Sequence, residues 1–176
     1  MLIKNPAQPV PQFALFNLGF RPFFLLAGVH ALISIFIWGG IYIYGWPAPR
    51  LPFTPMQWHA HEMIFGYGMA VAAGFLLTAV RNWTHIQTPQ GYALAGLASL
   101  WLAARLAGWI YPEQVLPMLL LDLMFDGWLI VAIFMPILRA RQYKNIGIAS
   151  KLVLLMLANL CFYLGVSGVL EQGIVW

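Results

Sequence analysis

The chain is short of charge and nearly without cysteine. Lysine, arginine, aspartate and glutamate make up 8% of its 176 residues, against 62% hydrophobic, whereas a soluble domain carries about 25% charged residues. So few polar side chains cannot cover a water-facing surface, and the composition describes an integral membrane protein. Cys161 is the single cysteine, which excludes a disulfide framework and a Cys-x-x-Cys metal site. A metal would have to be held by histidine, methionine, carboxylate or an organic group. The net charge of +4 is small and falls in short segments between apolar runs, which argues against nucleic acid as a partner. No linker or composition shift divides the chain, so 1–176 reads as one transmembrane domain.

What is present is apolar length. Five runs, about 22–44, 58–80, 92–110, 116–137 and 149–170, are long enough to cross a hydrocarbon core of roughly 30 Å at about 1.5 Å per residue. The expected fold is all-α, a bundle of five transmembrane helices in a lipid bilayer. Before the first run, Pro6, Pro9 and Pro11 precede Phe13, Leu15, Phe16, Leu18 and Phe20, a pattern suited to a short N-terminal helix lying in the interface. No small-residue cleavage site follows the first run, which reads as a retained signal-anchor. The joints carry turn residues, as at Trp46-Pro47-Ala48-Pro49 and Tyr111-Pro112-Glu113. Lys4, Arg21, Arg81, Arg139, Arg141, Lys144 and Lys151 fall on one side of such a bundle and only Arg50 on the other. The positive-inside rule then expects a cytoplasmic N-terminus and an external, in a bacterium periplasmic, C-terminus.

Against this apolar background the titratable residues stand out. Trp58, His59, His61 and Glu62 open the second run, Arg105 lies near the end of the third, and Asp122 and Asp126 lie in the first half of the fourth. All share the outer half of the bundle. Ionisable groups inside a membrane are costly unless paired or ligated, so such a cluster is a candidate functional site. Asp122 and Asp126 are four apart and share a helix face, where a cation, a proton or Arg105 must separate their charges. A buried structural pair between Asp122 and Arg105 is the plain reading. His59 and Glu62 are three apart and face one way on a regular helix, with His61 pointing elsewhere. On that geometry His59 faces the bundle and one histidine alone is a direct ligand, with Glu62 either on the same metal or orienting that imidazole through its second nitrogen; two interfacial histidines beside Trp58 are the plain reading. An irregular first turn would instead bring His61 inward. His30, alone in the first run, is either a satisfied core histidine or an axial ligand; His85 is a loop residue. Met56, Met63 and Met69 suit packing, and Gly66, Ala70 and Gly74 make a small-residue stripe that lets another helix approach.

Several segments in order, Leu18-Gly19-Phe20-Arg21-Pro22-Phe23-Phe24, Trp58-His59-Ala60-His61-Glu62-Met63, Gly74-Phe75-Leu76-Leu77-Thr78-Ala79-Val80, Leu100-Trp101-Leu102-Ala103 with Arg105, and Asp122 with Phe125, resemble the NnrS family and match its N-terminal half. The resemblance implies a multi-helix protein of the bacterial inner membrane that binds haem and copper and is linked to nitric oxide metabolism and nitrosative stress. Carried over to this chain, it implies cofactor contacts from His59, His61, His30 and Arg105, and metal contacts from His59, His61, Glu62 and Asp122. Members of the family are generally longer, and the family pattern has a histidine where this chain has Tyr163, an altered place for an axial ligand. The expected function is haem or metal binding in nitric oxide or redox stress handling. Two readings compete with it: a cofactor-free accessory subunit that docks onto a larger membrane complex, and a proton-coupled permease with Asp122, Asp126 and Arg105 as its relay. A homo-oligomer or a membrane-complex partner is expected in either of the first two.

Overall fold

The computed structural model describes residues 14–48 and 50–169. Among them there are helices and turns and no strand, and a helix suits lipid because it satisfies its backbone donors within its own segment. Five helical stretches are long and apolar enough to cross a membrane. The first, α1, is Phe20–Tyr44 and ends on Gly45, whose positive φ of 65° lets its N–H return to the Gly40 carbonyl.

The second span, Pro55–Thr84, is built of three parts. Thr54 and Gln57 form a reciprocal capping box at its start, with Pro55 in the first turn where no N–H is needed. α2, Pro55–His61, runs into a π-helical segment, Glu62–Gly68, which continues as α3, Met69–Thr84. The third span is α4, Tyr92–Ile110, and the fourth is α5, Val115–Arg139. A 3-10 turn at Tyr143–Asn145 leads into the last, α6, Ile146–Val166. The number of spans agrees with the sequence expectation, and the described ends stand a few residues from the expected ones.

The second span is the most buried, and α1 and α6 are the most exposed to lipid. α3 packs on α1 and α5, while α5 also packs on α4 and α6. The close approach of α1 to α3 depends on small residues. A Cβ at Gly74 would stand 2.8 Å from a Phe24 ring carbon and 3.1 Å from Phe23 Cβ, and Ala70 and Ala73 beside it are fully buried. The small stripe therefore seats the first helix, as expected. One apolar core joins Phe23, Leu77, Leu97, Phe125, Ile133 and Leu152; a second gathers Phe53, Trp58, Ala107, Met118 and Tyr163 at the other end. Leu32 and Phe36 on α1, Leu120 and Val131 on α5 and Leu154 on α6 face outward, which is unremarkable in a bilayer.

Of the expected N-terminal helix, the described part is a 3-10 turn, Ala14–Asn17. It is tied down by the Gly91 N–H to the Phe16 carbonyl at 2.8 Å and by Arg21 Nη1 to the Ala14 carbonyl at 2.8 Å. Residues 1–13, with Lys4 and the three early prolines, and Pro49 lie outside the described residues, as does 170–176. Arg21 at the start of α1, Arg81 near the end of α3, Arg139 in the last turn of α5, and Arg141 and Lys144 just after it all fall at one end of the bundle.

Candidate functional site

The polar residues meet at the end away from those basic residues. Arg105, near the end of α4, donates through Nη2 to Asp122 Oδ1 near the start of α5. Tyr163 of α6 donates its hydroxyl to Asp122 Oδ2 at 2.7 Å. Arg105 Nε lies 3.4 Å from Glu62 Oε2, at the start of the π segment, and His30 Nε2 of α1 approaches the same oxygen at 3.0 Å. Ser34, one turn further along α1, is paired with His30 Nε2 at 3.2 Å. His61 completes the centre: Nδ1 is 3.3 Å from Glu62 Oε1, Nε2 is 3.1 Å from Asn159 Oδ1 and 3.6 Å from Asp122 Oδ2. Asn159 in turn offers Nδ2 to Asp126 Oδ2 at 3.5 Å. Every span contributes, and Glu62, His61, Arg105, Asp122, Asp126, Asn159 and Tyr163 are all buried.

Two carboxylates, Glu62 and Asp122, therefore flank one guanidinium in a low-dielectric setting, and a third, Asp126, joins them through Asn159. Removing water from such ions costs several kcal/mol each, and the cost is offset only by close geometry and filled hydrogen bonds. The contact of Arg105 with Asp122 satisfies the paired reading of these two residues. Asp126 makes no ion pair among the described residues, and its hydrogen-bond partner is the Asn159 amide.

The π segment decides which histidine enters. A turn closed by i→i+5 bonds holds one residue more than an α turn, so the faces of α2 do not continue in register into α3, although the turn from His59 to Glu62 is itself regular, with the Glu62 N–H returning to the His59 and Trp58 carbonyls. His61 is turned inward and His59 is not, the reverse of the orientation expected from a straight helix. His61 is 1% exposed and sits among the rings of Phe53, Phe65, Phe162 and Tyr163, with centroids 4.9 to 5.8 Å away. His59 is half-buried at the mouth, stacked on Trp38 at 4.5 Å with ring planes 7° apart. Its Nδ1 has no hydrogen-bond partner among the described residues.

Gly66 makes the π segment fit. A Cβ there would lie 2.6 Å from His30 Nε2 and 2.8 Å from Glu62 Oε2. The Gly66 carbonyl accepts from the Trp101 indole at 3.1 Å, and that indole stands edge-on to His30 at 5.3 Å. Asn159, Ser34 and Trp101 were not among the expected site residues, and Tyr163 was marked only as the place where the family pattern has a histidine. Each is neutral, and its placement beside the cluster gives it its role.

Among the described residues no group of three or more histidine, cysteine, aspartate or glutamate side chains is arranged to hold a metal ion. His61, Glu62 and Asp122 of the expected metal set lie together, and His59 stands apart from them. Of the expected cofactor contacts, His30, His61 and Arg105 join the cluster. The imidazole nitrogens that face its centre are already engaged with Glu62, Ser34 and Asn159.

Comparison with curated proteins and with solved structures gives no match. Residues 14–176 match the family described as NnrS protein, which is most of the chain. The chain belongs to the NnrS family.

Proposed function

We propose that this NnrS-family membrane protein acts in nitric oxide handling in the bacterial inner membrane, and that its buried cluster holds a proton and passes it between Asp126 and Glu62. The observation that supports this is the double environment of His61. With Asn159 Nδ2 toward Asp126, Asn159 Oδ1 accepts from His61 Nε2, so Nε2 carries a proton. Nδ1 then faces a carboxylate oxygen, and a second proton must sit between Nδ1 and Glu62 Oε1. With the Asn159 amide reversed, a protonated Asp126 donates to its oxygen, its nitrogen donates to Nε2, and a neutral His61 donates from Nδ1 to an ionised Glu62. Both arrangements hold the same number of protons. They differ by one proton moved from Asp126 to the His61–Glu62 pair, with one amide flip.

Such a relay brings a proton into a layer that otherwise has none. Nitric oxide dissolves in that layer, and its reduction by any route consumes protons. Haem and copper, which the family resemblance implies, do not fit this centre as it is built. The histidine nitrogens that face its centre are held by hydrogen bonds, and the adjoining cavity has a volume of ≈ 140 Å³, the size of a site for a single benzene ring. A tetrapyrrole is much larger. No step of the relay needs either group.

The basic residues gathered at one end support a cytoplasmic N-terminus, with the cluster toward the periplasmic side. Infrared spectra of the carboxyl region, taken in H2O and D2O on wild type and Asp126→Asn, test the relay. A protonated-carboxyl band that shifts in D2O and is lost in Asp126→Asn is expected. Identical carboxyl bands in the two proteins overturn the relay. In cells deleted for this chain and challenged with a nitric oxide donor, wild type restores growth and Asp126→Asn, present in the membrane at equal amount, restores less. Equal growth with and without the chain overturns the nitric oxide assignment.

A further inference from the structure

α1 packs on α3 and the π segment, and α4 packs on α5; between α1 and α4 a furrow faces the lipid. At its polar end lies the ≈ 140 Å³ cavity, lined by aliphatic residues of α1 and by Trp58, Trp101 and Trp109, with His30, Glu62 and Arg105 at its floor. Further along the same furrow a second, wholly less polar hollow of ≈ 150 Å³ opens between Leu15, Pro22 and Ala98. Leu26 and Leu102 line both, so the two are neighbours along the furrow.

The floor is unfinished. Arg105 Nε and Nη1 and Glu62 Oε2 are buried, yet none has a hydrogen-bond partner among the described residues. His30 and Arg105 Nε come within ion-pair distance of Glu62 Oε2 without the direction that a hydrogen bond needs. Leaving such groups unmade costs about 1–3 kcal/mol each, more for charged ones. Two donors and one acceptor side by side suit an oxygen that both accepts and donates, as water and a hydroxyl do, and a furrow open to hydrocarbon favours a hydroxyl carried on an apolar molecule. A carboxylate or phosphate is a poor occupant, because Glu62, Asp122 and Asp126 already outnumber Arg105.

We propose that the furrow between α1 and α4 binds a lipid-dissolved hydroquinone. Its ring lies among the tryptophans, one hydroxyl oxygen accepts from Arg105 Nη1 while its O–H donates to Glu62 Oε2, and its hydrocarbon tail runs past Leu26 and Leu102 into the second hollow. Volume, opening and polarity each contribute. The cavity accepts one ring, the opening is to hydrocarbon where such molecules dissolve, and the floor offers the pairing that a phenolic hydroxyl needs. The assignment is one of binding, and it does not depend on the proton relay.

The test uses the purified full chain in mild detergent, with tryptophan fluorescence read during titration by decyl-ubiquinol, by decyl-ubiquinone and by the dimethyl ether of the quinol. Saturable quenching by the quinol is expected, with the ether at least about tenfold weaker because it cannot donate to Glu62. Val29→Phe with Leu102→Phe, both lipid-exposed residues on the cavity wall, fills the ring space and should weaken quinol binding at least about tenfold while circular dichroism and melting stay unchanged. Equal binding of quinol and ether overturns the polar floor. Quenching by brominated phospholipid that the quinol does not displace assigns the furrow to acyl chains and overturns the proposal. So does a stable dimer whose cross-links map to α1 and α4 and which shows no quinol binding.

Discussion

At the end of the bundle where α1 begins and α3 finishes, Phe23, Leu77, Val80, Leu97, Ile137 and Leu152 fill the space between helices. At the other end the same helices are joined through Arg105, Glu62, His61, Asp122, Asn159 and Tyr163. The two ends face the same solvent and answer to different forces. Lipid is as apolar as leucine, so the first end gains from close packing and little from leaving its surroundings. The second holds charges that neither lipid nor a bare helix can satisfy, so each residue there depends on its partners. Apolar packing tolerates exchange of one side chain for another of similar volume; a closed charge cluster does not.

That contrast orders the effects of substitution. Asp122→Ala strands Arg105 and frees Tyr163, and should lower stability by about 3–5 kcal/mol. Adding Arg105→Leu should recover part of the loss. Denaturant unfolding in detergent measures both, and strictly additive losses would separate the two residues. Gly66→Ala forces a methyl group against His30 and Glu62 and should cost about 1–3 kcal/mol by overpacking; an unchanged melting temperature would show that the π segment yields without strain. Leu77→Ala, at the apolar end, loses packing and leaves a cavity but suffers little transfer penalty in lipid, so about 1–2 kcal/mol is expected. A loss equal to that of Asp122→Ala would remove the distinction between the two ends. His59→Ala gives up a stacked ring on Trp38, a loss of about 0.5–1.5 kcal/mol. If it proves the most damaging of the four, the mouth and not the cluster is the centre of the site.

The five spans were legible because length and hydropathy need no neighbours to be read. Arg105 with Asp122 was legible for the same reason turned around: a charge in an apolar run announces a partner, and a common depth indicates which. His61 was not. Its inward direction follows from the π segment, and nothing in Glu62–Gly68 read by period alone marks that widening, although two glycines within it permit close approach. Asn159 was hidden differently, and Tyr163 stood out only through the family resemblance, which did not give its partner. An asparagine or tyrosine in a span fits packing, capping or an interface belt equally well, and only the carboxylate across from it selects one role. The stripe at Ala70 and Gly74 was plain from spacing, since steric room is a local property.

The π segment has a consequence for how the second span could change over generations. A helix that both lines a site and packs on its neighbours must normally serve the two with one angular phase, so that any rotation suiting one spoils the other. The wider turn between Glu62 and Gly68 acts as a phase shifter: α3 keeps the setting that seats Gly74 under Phe23 and Phe24, while α2 presents His61 on a setting of its own. Loss of one residue from that turn would leave the span continuous and of sufficient length, yet rotate the whole mouth by about a quarter turn or more relative to the core. Single-residue insertions and deletions, usually ruinous inside a membrane helix, here become a way of re-aiming the site without rebuilding the bundle.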